Sequence, residues 1–253
     1  MTLARLESQA LAVPTGGWVF DLLDDDGNHP NVTVAAGTYS PTTLLAAVVA
    51  AMNAASAETY TGSLDAGEGG TGCATIATAT SAVFELTWVD LDLCEALGWT
   101  GVLDSAVSYT SDVGVKGLWL PDCPTSGTYG AQDPGHTEGG VAQTISALGV
   151  TKTWVGPARV RQPGLRWSHV TAARARQAAE SGAPRSWERF CREVLRGSLS
   201  YFHAGGTVRV IWDTTVPGTY TDYRPSVPRT TELARADATW AGLYAVSFEG
   251  WAV

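Results

Sequence analysis

The chain has 253 residues, 45% of them apolar and 16% charged, with a net charge of −9. That length is enough to bury a core and makes one large domain or two small ones. The composition excludes intrinsic disorder, no apolar run nears the ~20 residues of a bilayer span, and the acidic balance opposes sequence-independent nucleic-acid binding, which depends on Lys and Arg.

The opening Met1-Thr2-Leu3-Ala4-Arg5 has no basic segment leading into a long apolar stretch, so no secretory leader is expected. Trp18–Leu23 and Asn31–Val34 are apolar runs on either side of Asp24-Asp25-Asp26-Gly27-Asn28, which predicts a β-hairpin. The three aspartates resemble the start of a calcium loop. A Glu would then be needed at the twelfth position, and counting from Asp24 finds Ala35 there, so turn chemistry is the better account. Ser40 is an N-cap, Pro41 suits a first helical turn, and Leu44, Leu45, Val48, Val49 and Met52 recur at helical spacing, predicting a helix over 41–55. Its other residues are largely alanine, so it can lie close against a sheet.

Cys73–Ala79 and Val83–Trp88 alternate as strands do. The Gly-rich stretch 67–72 has neither a following helix nor a Lys, as a phosphate loop would, and is expected to be a hairpin loop. Leu91–Leu97 is predicted as a short helix begun by Asp90 and stopped by Gly98, with Trp99 tucked beneath it. Leu118-Trp119-Leu120 is a further apolar segment, and the Pro-, Gly- and Ser-rich stretch 121–140 is the expected boundary between regions. Beyond it, Val141–Leu148, Lys152–Gln162 and Leu165–Val170 are expected strands, with turns at Gly149 and Pro163-Gly164. Residues 172–180 favour helix. Ser186 should cap a helix over 187–196 closed by Gly197, burying Trp187, Phe190, Val194 and Leu195 and wetting Glu188, Arg189, Arg192, Glu193 and Arg196. Leu199–His203 and Thr207–Asp213 are expected to form a hairpin, and Trp240–Trp251 a last strand.

The predicted fold class is therefore α+β and β-rich: two small antiparallel sheet or sandwich-like regions, each with one packed amphipathic helix. Residues 1–126 form an acidic α+β module and residues 127–253 a basic, β-rich one. The first holds two basic residues, Arg5 and Lys116, against fifteen acidic, a net of −13; the second has a net of +4. Such a split permits head-to-tail contact between copies.

Residue chemistry points away from catalysis. Cysteines 73, 94, 123 and 191 make no CxxC pair and read as buried thiols of a reducing compartment. The sequon Asn31-Val32-Thr33 carries no weight without a secretory route. His29, His136, His169 and His203 each lie more than four residues from any other His or Cys, so local zinc signatures are absent. There is no nucleophile elbow, GxGxxG or Walker sequence. The nearby acids Glu85, Asp90, Asp92 and Glu95 could form a glycosidase pair, although acids at a helix start are ordinarily capping groups. No cofactor, metal, nucleic acid or membrane is expected as a partner. Ten tryptophans supply large contact area for cores, interfaces or sugar platforms. Trp119 beside a loop and Trp251 near the C-terminus are the interface candidates, together with Arg189, Arg192 and Arg196.

The run Tyr39-Ser40-Pro41 through Ala54, followed by alternating strands and then Glu95-Ala96-Leu97-Gly98-Trp99-Thr100-Gly101, resembles a module of tailed-bacteriophage minor structural proteins. In that module a helix packs on a small sheet and a leucine–glycine–aromatic corner follows. The stretch Trp187–Phe190, Leu195-Arg196-Gly197, Tyr201-Phe202 and Gly218–Tyr223 is similar to the C-terminal part of tail-tip and distal-tail proteins, where a helix precedes a strand pair and a final strand closes the sheet. The resemblance implies a non-enzymatic virion subunit, made in the bacterial host cytoplasm. It would assemble as a homo-oligomeric ring in the tail tip, baseplate or neck, in contact with tube, hub and neighbouring tip proteins. The residues also leave room for a carbohydrate- or receptor-binding module of a virion, and for a hydrolase whose site assembles in space.

Overall fold

The computed structural model describes residues 5–67, 70–120, 136–138, 141–145, 151–155, 159–171, 175, 185–195, 206–211, 220–225, 234–235 and 243–252. In chain order the elements are β1 (Arg5–Ser8), β2 (Leu11–Val13), β3 (Trp18–Asp24), β4 (Gly27–Val34), β5 (Gly37–Tyr39), α1 (Pro41–Ala55), β6 (Tyr60–Leu64), β7 (Ala74–Thr78), β8 (Phe84–Trp88), α2 (Leu91–Leu97), β9 (Leu103–Ala106), β10 (Ser108–Thr110) and β11 (Leu118–Trp119). There follow β12 (His136–Glu138), β13 (Val141–Ile145), β14 (Thr151–Val155), β15 (Arg159–Thr171), α3 (Trp187–Phe190, continued by a π-helical turn over Cys191–Leu195), β16 (Val208–Ile211), β17 (Tyr220–Pro225), β18 (Ala234–Arg235) and β19 (Leu243–Ala252). The fold is β-rich α+β, built, among the described residues, from several small antiparallel sheets and three helices.

The first region is assembled around α1. Ser40 Oγ accepts the Thr43 N–H and Thr43 Oγ1 accepts the Ser40 N–H, a reciprocal capping box that starts the helix at Pro41. Leu44, Leu45, Val48 and Met52 are buried between the sheet β4-β3-β8-β9 and the sheet β10-β7-β6. The hairpin expected at the aspartates is β3–β4, with Asp24 opposite Gly27. The Gly-rich stretch joins β6 to β7 as a hairpin loop. Phe84 is the central ring of the core, edge-on to Tyr60 at 5.2 Å and to Tyr109 at 4.8 Å.

α2 ends as the sequence requires. Gly98 takes φ +85°, its N–H reaches the carbonyls of Cys94 and Glu95, and a Cβ there would fall 2.1 Å from Val113 O, so only glycine fits. Trp99 is buried and stacks on Trp88 at 5.4 Å.

The largest sheet has the order β11-β1-β16-β17-β19-β15-β12, with β18 also on β19. It draws β1 and β11 from the acidic half and the rest from the basic half, so strands from both sides of residue 126 share one hydrogen-bonded ladder. The expected boundary stretch lies largely outside the described residues, but its His136–Glu138 is strand β12.

Two expectations are corrected. Pro163-Gly164 is not a turn between strands: β15 runs through it, and its register against β19 shifts between Gln162 and Leu165. Proline is tolerated at such a bulge because no ladder hydrogen bond is required of it there. The helix over 187–196 is α-helical only to Phe190 before its π-helical turn. Ser186 Oγ does cap it, at the Arg189 N–H, and Trp187, Phe190 and Val194 are buried. Most of the predicted helix over 172–180, the strand over 199–203, and Cys123, Arg196 and Gly197 lie outside the described residues.

Candidate contact surfaces

The basic half meets the acidic half at a seam built on α3. Arg185, one residue before the cap, is buried: its Nε donates to Gly114 O at 2.7 Å, one Nη to Glu95 O in the last turn of α2 at 2.8 Å, and the other to the Glu193 carboxylate. Burial pulls the guanidinium pKa down to about 10, against the opposing pull of Glu193. Arg189 Nε reaches the same Glu193 oxygen at 2.7 Å, and its Nη2 lies 3.4 Å from Glu95 Oε1. Beneath this network Trp187 stands edge-on to Trp119 at 4.7 Å and stacks on Phe190 at 5.8 Å. Farther along the same sheet, Arg209 grips Asp222 with two bonds of 2.8 and 2.9 Å across β16 and β17, and its guanidinium lies 3.8 Å from the Tyr220 ring centroid.

The predicted interface residues therefore separate. Trp119 is 0% exposed and packs against Trp187, so it seals the two halves of one chain and is not available at an outer surface. Its place in β11, inside a sheet that the sequence divided between two regions, is the reason. Arg189 is spent largely on the same seam. Arg192 points outward with its side chain 73% exposed, 3.6 Å from Glu188. Trp251 lies in β19, opposite Arg161 and Arg224, and its side chain is outside the described residues, as is Arg196.

Exposed apolar side chains lie on the acidic region outside the expected interface set. Leu91, the first residue of α2, is 75% exposed, Val89 just before that helix 54% and Val102 beyond its end 61%. Leu23 in β3, opposite Glu85, and Val83 and Val107, which flank β8 and β10, are exposed as well. The available signal was Leu91 itself. It occupies the first helical position, outside the buried set Leu93, Cys94, Ala96 and Leu97.

The acids have structural employment. Asp90 does not cap its own helix; its carboxylate accepts the Val19 N–H at 2.6 Å and ties α2 to β3. Asp24 accepts the Asp26 and Gly27 N–H groups, the Tyr60 hydroxyl and a contact from His29 Nε2 at 3.3 Å. Burial works to raise the Asp24 pKa, but its hydrogen bonds to Tyr60, Ser56 and Asp26 and the nearby His29 together bring it below the usual 3.8. Burial and Asp24 push the Tyr60 pKa well up. Cys73 and Cys94 are buried free thiols, and burial, with Asp112 and Glu95 nearby, pushes Cys94 up to about 11.

No family model, curated protein or solved structure matches the chain. Among the described residues no three His, Cys, Asp or Glu side chains are grouped to hold a metal ion, and no helix is long and apolar enough to cross a membrane. Trp18, Trp88, Trp99, Trp119 and Trp187 are buried, so none of these five offers a sugar platform.

Proposed function

We propose that the chain is a structural subunit of a tailed-phage virion that assembles as a ring in the tail tip, baseplate or neck, without catalysing a reaction. The observation that carries this reading is the order of parts over residues 40–101. The capped helix α1 packs on the small sheet β10-β7-β6, and the chain then turns at Leu97-Gly98-Trp99, with the glycine in the left-handed region and the tryptophan buried. That is the sequence of parts in the phage module this stretch resembles. The C-terminal order gives further support: α3 precedes the β16–β17 pair, and β19 then joins β17.

A ring contact joins two different patches of one subunit. Exposed Leu91 at the start of α2, with Val89 just before it and the exposed Asp92 just after it, offers one patch. The outward Arg192 of the basic half is a candidate for the other. In this reading the subunit is made in the host cytoplasm and meets tube, hub and neighbouring tip proteins. Native mass spectrometry of the full chain should give a closed oligomer, and the chain should co-purify with intact particles. A monomer at every concentration, together with absence from purified particles, overturns the proposal.

A further inference from the structure

The groove between the outer face of α1 and the free edge of β6 carries an inference that is independent of the virion reading. Among the described residues β6 lies at the edge of its sheet and pairs with β7 alone. Residues of an antiparallel pair alternate between those that exchange both backbone hydrogen bonds and those that exchange none. The Ala79 N–H donates to Thr59 O and the Asp65 N–H to Cys73 O, which places the odd-numbered residues in the bonded set. Tyr60, Gly62 and Leu64 consequently turn their backbone groups outward. At Tyr60 both groups are taken by Asn53, whose Oδ1 accepts the N–H at 2.6 Å and whose Nδ2 donates to the carbonyl at 3.1 Å. Leu64 O accepts the Ala66 N–H at 2.9 Å. The Gly62 N–H, the Gly62 carbonyl and the Leu64 N–H then have no partner among the described residues.

Exposed strand edges are normally blunted by proline, lysine or a bulge. β4 has Pro30 and a left-handed Asn31, whereas β6 reads Tyr-Thr-Gly-Ser-Leu and carries no such device. The edge opens into a cavity of about 480 Å³ whose helical wall includes Ala46, Val49 and Ala50. The two alanines are exposed and short, so this wall of the slot carries little side-chain bulk. Its floor is tight: a Cβ on Gly62 would come 2.8 Å from Val49 Cγ2.

One end of the slot is cationic. Arg5 lines it, with Nη1 donating to Ala66 O at 3.1 Å, Nη2 3.6 Å from Glu7 Oε2, and a buried Nε that has no partner among the described residues. The other Glu7 oxygen is already held by the Thr42 hydroxyl at 2.8 Å. Nη1 makes a single hydrogen bond and Nη2 only a 3.6 Å ion-pair contact, so the Nη groups keep donors for a further acceptor, and Arg5 is the charged side chain that lines the slot.

We propose that this groove takes an extended strand of a partner polypeptide, which pairs its backbone with Gly62 and Leu64 along the β6 edge and sets an Asp or Glu side chain on Arg5. The test uses the full chain and acetylated, amidated octapeptides of alternating Thr and Val, with one position scanned through Asp, Glu, Asn, Gln and Lys. Binding is read by fluorescence polarisation and the site by amide hydrogen exchange. Acidic peptides should bind and slow exchange at Gly62 and Leu64, and their amide isosteres should bind about fivefold more weakly. The A46Q/A50Q variant, which fills the slot from an exposed helix face, should lose about tenfold in affinity at an unchanged melting temperature. The proposal is overturned if no peptide binds, if acidic and amide peptides bind equally, if protection falls elsewhere, or if A46Q/A50Q binds like the parent. Concentration-dependent dimerisation that protects the same two amides without peptide would assign the groove to a second copy and overturn it as well.

Discussion

The core of the acidic region and the seam that joins it to residues 185–195 are both dry, and they hold by different physics. Around α1 the buried groups are almost all apolar: Leu44, Val48, Met52, Phe20, Phe84 and Leu86 fill one continuous cluster. Stability there scales with apolar area removed from water and with how well the volume is filled. At the seam a whole guanidinium is buried with Trp119 and Trp187, and each of its three nitrogens donates to a carbonyl or a carboxylate. An apolar core can lose a methylene and relax, whereas a buried ion loses its solvation in full and is stabilised only while all its partners are present.

The largest expected effect lies in the core. Phe84→Ala removes the ring between Tyr60 and Tyr109 and should cost about 4 kcal/mol, read from the urea midpoint. Arg185→Met should cost about 3 kcal/mol, because Gly114 O loses the donor Arg185 gives it, Glu95 O keeps only the Gly98 N–H, and Glu193 keeps only Arg189. The two sites should differ most when paired. Glu193→Gln introduced into Arg185→Met should cost about 1–2 kcal/mol less than in the parent, since the carboxylate has already lost a partner. Leu44→Ala added to Phe84→Ala has no charge to release and should show no such relief. Equal behaviour of both pairs in a double-mutant cycle would erase the distinction.

What the sequence made legible follows the same division. α1 was readable to the residue because Ser40, Pro41 and the apolar spacing all act within one segment. The corner at Gly98 was readable because a left-handed residue after an apolar turn demands glycine. The seam was not readable. Arg185 lies 71 residues from Gly114 and 90 from Glu95, and nothing local to a lone arginine says that it will be buried. Trp119 reads as an interface candidate for the same reason: its partner Trp187 belongs to the other half of the chain. The bulge at Pro163-Gly164 reads as a turn until β19, some 80 residues on, is known to pair across it. The β6 edge was hidden because an edge is defined by the strand that is absent beside it, which no local pattern encodes.

A smaller effect, of about 2 kcal/mol, is expected for Asp24→Asn, which weakens the carboxylate that organises the β3–β4 turn and receives the Tyr60 hydroxyl. The pH dependence gives the sharper readout. Asp24 has its pKa lowered in the folded state, so its contribution is complete above the unfolded value near 3.8 and is lost as pH falls through the folded value. Tyr60 has its pKa raised, so its contribution is complete below the unfolded value of 10.0 and fades as pH rises beyond it. Asp24→Asn should flatten the acid limb and shallow the alkaline one. Unfolding curves at pH 3, 7 and 10.5 decide it, and an unchanged acid limb would place the titrating group elsewhere.

Arg192 should show the smallest effect on stability, and for that reason it separates folding from assembly. Its side chain is 73% exposed, and its partner Glu188 is itself 45% exposed at 3.6 Å, a geometry in which solvent screens most of the attraction. Arg192→Glu should therefore move the urea midpoint by no more than about 0.5 kcal/mol, in contrast to Arg185, which lies just before the same helix. If the basic half of one subunit faces the acidic half of the next, the same change sets like charges against each other and should slow assembly, with the defect deepening as salt is lowered. Sedimentation velocity at two ionic strengths reads this directly. A variant that folds and assembles like the parent at both would remove Arg192 from the contact and leave exposed Leu91 and Val89 to carry it.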